Sequence, residues 1–347
     1  MDWKKQKATW MVWLLAMCIP LLTVVNLMVG SVTVPTSEVI GILLGRGSDV
    51  EIWQNSVVGT RWPQTLTAIF CGAGLAVAGL EMQTVFHNPL AGPSVLGISS
   101  SASLGVATMV LLGGRIGSGL MLQFGIAGNT ALILAAIGGA LLSLSLMMWL
   151  GHRVEGGTTL LIVGVLIGYI ASAVTGVMKY FSNEEDVHAY GIWGLGTFAR
   201  VTGGQVKVFA GLMGVLLPLS MLLAKPLNML LLGERYATNL GLNIRRARML
   251  IIFSAGTLTA IATAYCGPVM FLGLAVPHIC RGLTGTADHR ILLPATCFGG
   301  AALALVCNLV SRMPGWEGAL PLNSVTALVG APVALWVLLN RKNKYQI

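Results

Sequence analysis

The sequence predicts an all-α, polytopic membrane protein with about ten transmembrane helices, and its composition is the first observation behind this prediction. Hydrophobic residues make up 55% of the 347 and charged residues only 10%, and the mean hydropathy is +0.81. Soluble domains carry about 25% charged residues. A soluble protein this apolar would have too little polar surface to stay dispersed, so lipid must be the solvent for much of the chain.

The second observation is a series of apolar stretches of membrane-spanning length, about 20 residues each. The uncharged stretch 249–280 is too long for one span, and Cys266-Gly267-Pro268 offers a break within it. We therefore predict ten spans, near residues 9–29, 62–86, 93–112, 122–150, 158–181, 206–224, 246–265, 269–283, 291–311 and 321–340.

The distribution of charge is the third observation, and it orients the spans. Lys4, Lys5 and Lys7 precede the first apolar run, which is too long for the core of a signal peptide. Placing this end in the cytoplasm puts most of the 21 basic residues inside, including the cluster at 341–344, as the positive-inside rule requires. An even number of spans and two cytoplasmic termini follow. The whole chain, 1–347, is one transmembrane domain.

Several functional classes are excluded by what the sequence lacks. The net charge is +9, but the basic residues lie at the edges of apolar blocks and form no basic face with interleaved aromatics. This distribution argues against nucleic-acid binding. The chain contains no Gly-Lys dipeptide and hence no P-loop, no HExxH, and no CxxC among its six cysteines. We predict no catalytic residue, no metal site and no cofactor bound by this chain. Energy must come from a partner or an ion gradient.

Two polar segments on the predicted cytoplasmic side are more informative than the spans. Residues 86–93 (FHNPLAGP) contain two prolines and a glycine, which favour a rigid corner between the second and third spans. The longest cytoplasmic loop, 225–248, contains a short amphipathic helix bracketed by Gly233 and Gly241. A solvated connector has no need of Leu232, Leu240 and Leu242, so we interpret this helix as a docking element for a cytosolic partner.

These segments, with others further along, resemble the FecCD-type permeases, the subunits of ABC importers for iron–siderophore, haem and vitamin B12. The matches keep the order and spacing of the family from about residue 55 to 340. The matching segments are 87–93 (HNPLAGP), 95–98 (VLGI), 233–241 (GERYATNLG), 271–278 (FLGLAVPH), 288–294 (DHRILLP), 320–321 (LP) and 330–332 (GAP).

The resemblance implies a vitamin B12 permease-like type II ABC importer fold in a bacterial inner membrane. Two permease subunits, identical or paralogous, would pair around a central pathway. Two cytosolic ATPase subunits would bind ATP and Mg, and a periplasmic or lipid-anchored binding protein would deliver the cargo. An iron chelate is our first expectation for the cargo because that branch is the most numerous, with haem and cobalamin as alternatives.

The resemblance also assigns roles to particular residues. In the family, the loop that docks onto the ATPase corresponds here to Gly233, Glu234, Arg235, Ala237, Leu240 and Gly241. The cytoplasmic gate of the family corresponds to Asn88, Pro89 and Leu90, together with Gly157 and Thr158 at the junction of the fourth and fifth spans.

Two arginines at the outer face match family positions that receive acidic residues of the binding protein. They are Arg61 and Arg312, and a guanidinium suits such a contact; a snorkelling interfacial arginine is the alternative interpretation. This chain departs from the family pattern at Gln64, which replaces a second arginine, and at Asn308, where an aspartate is common.

Glu81 is the one acid placed within a predicted span rather than at its edge. Ionisable groups inside a membrane are functional candidates by default, so Glu81 either lines the translocation pathway or is a neutral packing residue. An alternative function for the whole protein is an ion-coupled secondary transporter in which Glu81 carries the proton. The basic docking loop has no role in such a carrier, and we therefore favour the importer.

Overall fold

The computed structural model is helical in every regular element that it describes, over residues 2–30, 33–48, 50–112, 125–154, 156–313 and 319–339. Within these residues, seven helices are long and apolar enough to cross a membrane. They are Gln6–Met28, Glu51–Val85, Gly128–Gly151, Gly157–Tyr180, Gly203–Met221, Ile244–Cys266 and His289–Ser311. The prediction of an all-α membrane protein is confirmed.

Among the described residues up to 180, the chain forms seven α-helices. They are α1 (Asp2–Met28), α2 (Thr36–Leu43), α3 (Glu51–Gln54), α4 (Trp62–Val85), α5 (Ile98–Ala107), α6 (Gly125–Gly151) and α7 (Gly157–Tyr180). A π-helical segment, Asn55–Arg61, joins α3 to α4, and a second one, Thr108–Leu112, extends α5. The predicted span over 93–112 is not a single helix. A 3₁₀ turn, Pro93–Leu96, precedes α5, and Gly97 at φ 71° separates the two.

The described residues after 180 form eight further α-helices. They are α8 (Glu184–Gly194), α9 (Gly203–Met221), α10 (Ala224–Leu231), α11 (Glu234–Asn239), α12 (Ile244–Cys266), α13 (Leu272–Thr284), α14 (His289–Ser311) and α15 (Leu322–Leu339). The predicted break at Cys266 is confirmed, because α12 ends there and Gly267 adopts φ 76°.

Three predicted spans are not among the seven long helices. Two of them correspond to the shorter apolar helices Ile98–Leu112 and Leu322–Val333, and the third corresponds to α13. The 13 residues of α13 rise only about 20 Å, less than the roughly 30 Å of a bilayer core. The count of ten spans stays a prediction. The start of the predicted fourth span (122–124), the end of the last one (340) and the basic cluster at 341–344 lie outside the described residues.

Helix α4 is the centre of the bundle, and nearly all of its side chains are buried. It packs against α9, α12, α13 and α14. Glycines set the closest approaches: a Cβ on Gly79 would lie 1.7 Å from the carbonyl oxygen of Gly273 on α13, and one on Gly72 would lie 2.3 Å from that of Gly300 on α14. Small residues allow such approaches in lipid, where hydrophobicity does not drive helices together. The rigid axis of the molecule is therefore α4 with its neighbours.

Candidate functional site

Helix α11 lies at one end of the bundle, called here the inner end. Glycines bound it as predicted, with φ 93° at Gly233 and φ 85° at Gly241. These left-handed conformations are accessible to glycine without a steric penalty, so the two turns make α11 a separate short element. The glycine-bounded helix expected from the sequence is confirmed.

Three large apolar side chains on and next to α11 are exposed. Leu232, Tyr236 and Leu240 are 60%, 69% and 58% exposed, whereas Ala237 is fully buried against the bundle. We call Leu232, Tyr236 and Leu240 the docking patch. The expectation for Leu242 is wrong, because its half-buried side chain packs against the main hydrophobic core and not outward. An exposed apolar cluster on a short helix is typical of a protein-binding surface.

Two charged residues of the same loop have different surroundings. The side chain of Glu234 is 45% exposed and forms an ion pair with Arg248 in the first turns of α12, whose side chain is only 10% exposed. Arg235 is exposed. The ion pair connects the start of α11 to a membrane-spanning helix. Glu234 therefore lies next to the docking patch and also helps to position it.

The corner after α4 is held from two sides. His87 has φ 48°, an uncommon conformation for a residue other than glycine, and its Nε2 donates to the carbonyl oxygen of Leu230 in α10 at 3.0 Å. On the other side, Nε2 of His278 in α13 donates to the carbonyl oxygen of Pro89 at 2.7 Å. Inside the corner, the Asn88 side chain accepts from the backbone N–H of Leu90 at 3.0 Å.

The other predicted gate segment meets this corner. Gly157 begins α7, and a Cβ on it would lie 3.3 Å from the carbonyl oxygen of Val85, the last residue of α4. Thr158 is exposed beside it, and Leu90 is 39% exposed. The structure thus places Gly157 against the inner end of α4, where the corner that contains residues 88–90 begins. Their role in gating stays a prediction.

A polar network at the inner end was missed by the sequence analysis. Asn228 in α10 donates from Nδ2 to Oδ1 of Asp288 at 2.6 Å, and its Oδ1 accepts from the backbone N–H of His289 at 2.8 Å. Oδ1 also lies 2.9 Å from Nδ1 of His289, whose Nε2 is 2.9 Å from the hydroxyl oxygen of Thr84. We call Thr84, Asn228, Asp288 and His289 the inner network. The Asp-His pair in 288–294 was visible in the sequence, but nothing there indicated Asn228.

Asp288 is the charged member of the inner network outside the spans. Burial acts to raise the pKa of its carboxyl group, but hydrogen bonds from the backbone of Arg290 and the side chain of Asn228 outweigh burial and lower that pKa overall. Asp288 is therefore a carboxylate at neutral pH. As the N-cap of α14, it accepts from the N–H of Arg290 at 3.0 Å, which stabilises the start of that helix.

Arg61 lies at the opposite, outer end and does not face the surface. It is 3% exposed, and its Nη1 donates to the carbonyl oxygens of Leu27 and Met28 at 2.7 and 2.9 Å. These carbonyls end α1 and lack partners within that helix. In this conformation Arg61 secures α1 to the bundle, and its contact with a binding protein stays a prediction.

Arg312 takes part in a closed ring of hydrogen bonds at the outer end. Its Nη1 donates to Oε1 of Gln64 at 3.2 Å, and its Nη2 donates to Oδ1 of Asn26 at 3.1 Å. Gln64 in turn donates to Asn308 at 2.9 Å, and Asn308 donates to Asn26 at 2.8 Å. We call these four residues the outer ring. Gln64 and Asn308, the two departures from the family pattern, are thus direct partners of each other.

The outer ring joins α1, α4 and the end of α14 around a cation. Burial lowers the pKa of the Arg312 guanidinium to about 10, and the positive charge of Arg61 acts in the same direction. Arg312 therefore stays protonated at neutral pH, and all of its N–H groups can donate hydrogen bonds to the outer ring. Its side chain is half-buried, and its role in docking a binding protein also stays a prediction.

Glu81 is fully buried in α4. Its Oε1 accepts from the hydroxyl of Ser254 in α12 at 2.9 Å, and within the described part of the chain its Oε2 has no hydrogen-bond partner. The side chain therefore lies at a helix interface and not on an open surface. Its role in a pathway stays a prediction.

Comparisons with known proteins agree with this geometry. The family model of the FecCD transport family matches residues 17–340. The vitamin B12 import system permease protein BtuC of Klebsiella pneumoniae is 36% identical over 334 residues, which cover 96% of this chain and 95% of that protein. BtuC of Escherichia coli O9:H4 is 37% identical over 292 residues, 84% of each chain.

A solved structure gives the same result for the fold. It is described as an inward-facing conformation of a metal-chelate type ABC transporter, and it superposes with a TM-score of 0.81 at 28% identity, covering 95% of this chain and 98% of that one. A match of this extent covers the bundle and the inner and outer ends alike. This chain belongs to the FecCD transport family and is an ABC importer permease.

Proposed function

We propose that this chain is the translocation subunit of an importer that carries cobalamin across a bacterial inner membrane, with both termini in the cytoplasm. The proposal for the cargo replaces our first expectation of an iron chelate. Its support is the similarity to BtuC, a vitamin B12 import permease, along 96% of this chain. Iron chelates and haem are the other candidates, because the structural neighbour is described as a metal-chelate type transporter.

The docking patch is the observation that carries the mechanism. Leu232, Tyr236 and Leu240 expose apolar surface on and next to the short helix α11. Exposed apolar surface of this kind is stabilised when a partner covers it. Two cytosolic ATPase subunits, which bind ATP and Mg, are the partners that fit, because this chain has no P-loop of its own.

The remaining partners follow from the same proposal. A second permease subunit pairs with this one around the pathway, and a binding protein delivers cobalamin at the outer end near Arg61 and Arg312. ATP binding and hydrolysis move the docked ATPases, and α11 passes this motion to the corner at 88–90 and to the start of α7. An ion-coupled carrier that uses Glu81 is disfavoured by the family assignment.

Uptake measurements in the source cell test the proposed cargo. Cells without this gene are expected to lose uptake of radiolabelled cyanocobalamin and to keep uptake of haem and of a ferric hydroxamate siderophore. The wild-type gene restores the loss. Loss of haem or siderophore uptake with unchanged cobalamin uptake would reject cobalamin as the cargo.

A further inference from the structure

Helix α10 lies between the docking patch and the pathway helices. Two residues, Leu232 and Gly233, separate its end from the start of α11. Leu227 and Leu230 on α10 are almost completely buried, and the helix packs against α4 and α14. A displacement of α11 therefore reaches the bundle through α10.

The side chain of Asn228 fastens α10 to the start of α14 in one orientation. Its Oδ1 accepts from the backbone N–H of His289, and its Nδ2 donates to the carboxylate of Asp288. A flipped amide would set two donors against each other at His289 and two acceptors against each other at Asp288. The amide orientation is therefore determined by its surroundings.

His289 continues the connection to α4. Because Oδ1 of Asn228 can only accept, Nδ1 of His289 carries a proton and donates to it. In the neutral ring Nε2 is then an acceptor, and the hydroxyl of Thr84 in the last turn of α4 lies 2.9 Å away. The same hydroxyl lies 2.9 Å from the carbonyl oxygen of Leu80, so its single proton is shared between Nε2 and this carbonyl. The imidazole is completely buried, so it bridges two helices without competition from water.

A second connection from α10 reaches the gate corner directly. Nε2 of His87 donates to the carbonyl oxygen of Leu230, two residues after Asn228. His87 is held at φ 48°, a sparsely populated conformation that persists where surrounding contacts maintain it. One short helix is therefore joined by hydrogen bonds to the start of α14 through Asn228 and to the gate corner through His87. It reaches the end of α4 through His289 of α14.

We propose that α10 transmits motion from the docking patch to the gate, and that Asn228, His289, Thr84 and His87 are the positioning residues of this transmission. The proposal rests on the proposed function of the docking patch. A movement of α11 displaces Asn228 and the Leu230 carbonyl together. Asn228 displaces the start of α14 through its bonds to His289 and Asp288. The corner at 88–90 is displaced through Thr84, which is bonded to His289, and through His87, which is bonded to the Leu230 carbonyl. None of these side chains needs to touch the cargo or the ATPase.

The test uses the complete complex with its ATPase and binding-protein partners in proteoliposomes. A Leu90→Cys substitution reports the state of the corner through its rate of labelling by a maleimide, and the chain without it gives the background from the native cysteines. In otherwise wild-type protein, we expect labelling to change when a non-hydrolysable ATP analogue is added. With Asn228→Ala, we expect the labelling rate to become independent of nucleotide while ATP hydrolysis continues.

Lys225→Ala is the matched control on the same helix. Lys225 is exposed, and this variant is expected to keep the nucleotide-dependent labelling. For uptake of radiolabelled cyanocobalamin, we expect the ratio of cargo to ATP hydrolysed to fall about tenfold in Asn228→Ala, as for a lost coupling free energy of about 1.4 kcal/mol. Nucleotide-dependent labelling that survives in Asn228→Ala would overturn the proposal.

A second pair of variants covers the case in which Asn228→Ala does not assemble. Thr84→Val is nearly isosteric and removes the hydroxyl, whereas Thr84→Ser keeps it. We expect loss of nucleotide-dependent labelling in the first and retention in the second, and equal behaviour of the two would overturn the proposal. Labelling does not depend on the cargo. Failure of the wild-type complex to take up cyanocobalamin therefore rejects only the cobalamin assignment and leaves this test intact.

Discussion

The outer ring and the inner network are both built on α4 and α14, but their connections differ. The outer ring closes on itself: each of its four residues forms hydrogen bonds with at least two other members, and all four belong to or flank spanning helices. The inner network is open, because Asn228 belongs to α10, outside the seven long apolar helices. The difference indicates that the helices keep their relative positions at the outer end (a fixed joint) and that the motion of α10 displaces them at the inner end.

The largest effect is expected from Leu240→Asp on the docking patch. An aspartate would prevent burial of this position under the ATPase, and burial of a leucine contributes about 1.5–3 kcal/mol. We expect cobalamin uptake to fall about tenfold to a hundredfold while the isolated permease keeps its thermal stability. Leu240→Met, which stays apolar, is the control and should transport normally. A similar loss in both variants would remove the docking patch from the mechanism.

The next effect concerns the stability of the outer ring. Asn308→Ala removes two side-chain hydrogen bonds and leaves the buried Nε2 of Gln64 without its acceptor, whereas Oδ1 of Asn26 keeps the bond from Arg312. An unsatisfied buried donor costs about 1–3 kcal/mol, so the melting temperature in detergent should fall clearly. Uptake per ATP of the folded fraction should stay unchanged if the outer end is a fixed joint. Ser311→Ala is the control, because the Ser311 hydroxyl donates to the carbonyl oxygen of Asn308 within α14. Uncoupled ATP hydrolysis in Asn308→Ala would contradict the comparison.

A double-mutant cycle sharpens the account of the outer ring. Gln64→Arg alone places a further cation near Arg312 and should destabilise the fold, whereas Gln64→Arg combined with Asn308→Asp restores the pair of charges typical of the family. We expect the double variant to be more stable than the sum of the single effects by about 1–3 kcal/mol, measured by thermal unfolding. Additive effects would show that positions 64 and 308 do not act as a pair.

The smallest effect is expected at Glu81. Glu81→Gln keeps the acceptor for the hydroxyl of Ser254 and removes the capacity to carry a proton. We expect cobalamin uptake to stay within about twofold of wild type, the factor that about 0.4 kcal/mol produces. Uptake that falls to background, with ATP hydrolysis unaffected, would instead support proton transport through Glu81.

The sequence predicted those features that local chemistry decides. The break after Cys266 and the boundaries of α11 were found because glycine is the residue for φ values of 76–93°. The long spans were found because a run of apolar side chains forms a helix in lipid wherever it lies in the bundle. In contrast, the region 93–112 was predicted as one helix, since hydropathy does not report the turn at Gly97.

Only those parts of the candidate site that local sequence decides were predicted. The docking helix and the gate corner each lie within a short continuous segment, which carries its own pattern. Asn228 was missed because its partners are 60 and 61 residues further along the chain. Arg61 was expected at the surface, but the end of α1 is close enough to accept its hydrogen bonds. Long-range partners of this kind leave no periodic signal in one sequence.

The sequence by itself determined the class of the protein, its long apolar helices and its resemblance to a family, because hydropathy, glycine conformation and motif order are properties of the chain alone. The tertiary structure decided which polar groups meet inside the bundle. Buried polar side chains need partners, and the folded arrangement selects them: Gln64 with Asn308 at the outer end, and Asn228 with His289 at the inner end. This choice of partners makes the outer ring a closed set of hydrogen bonds and leaves the inner network connected to α10.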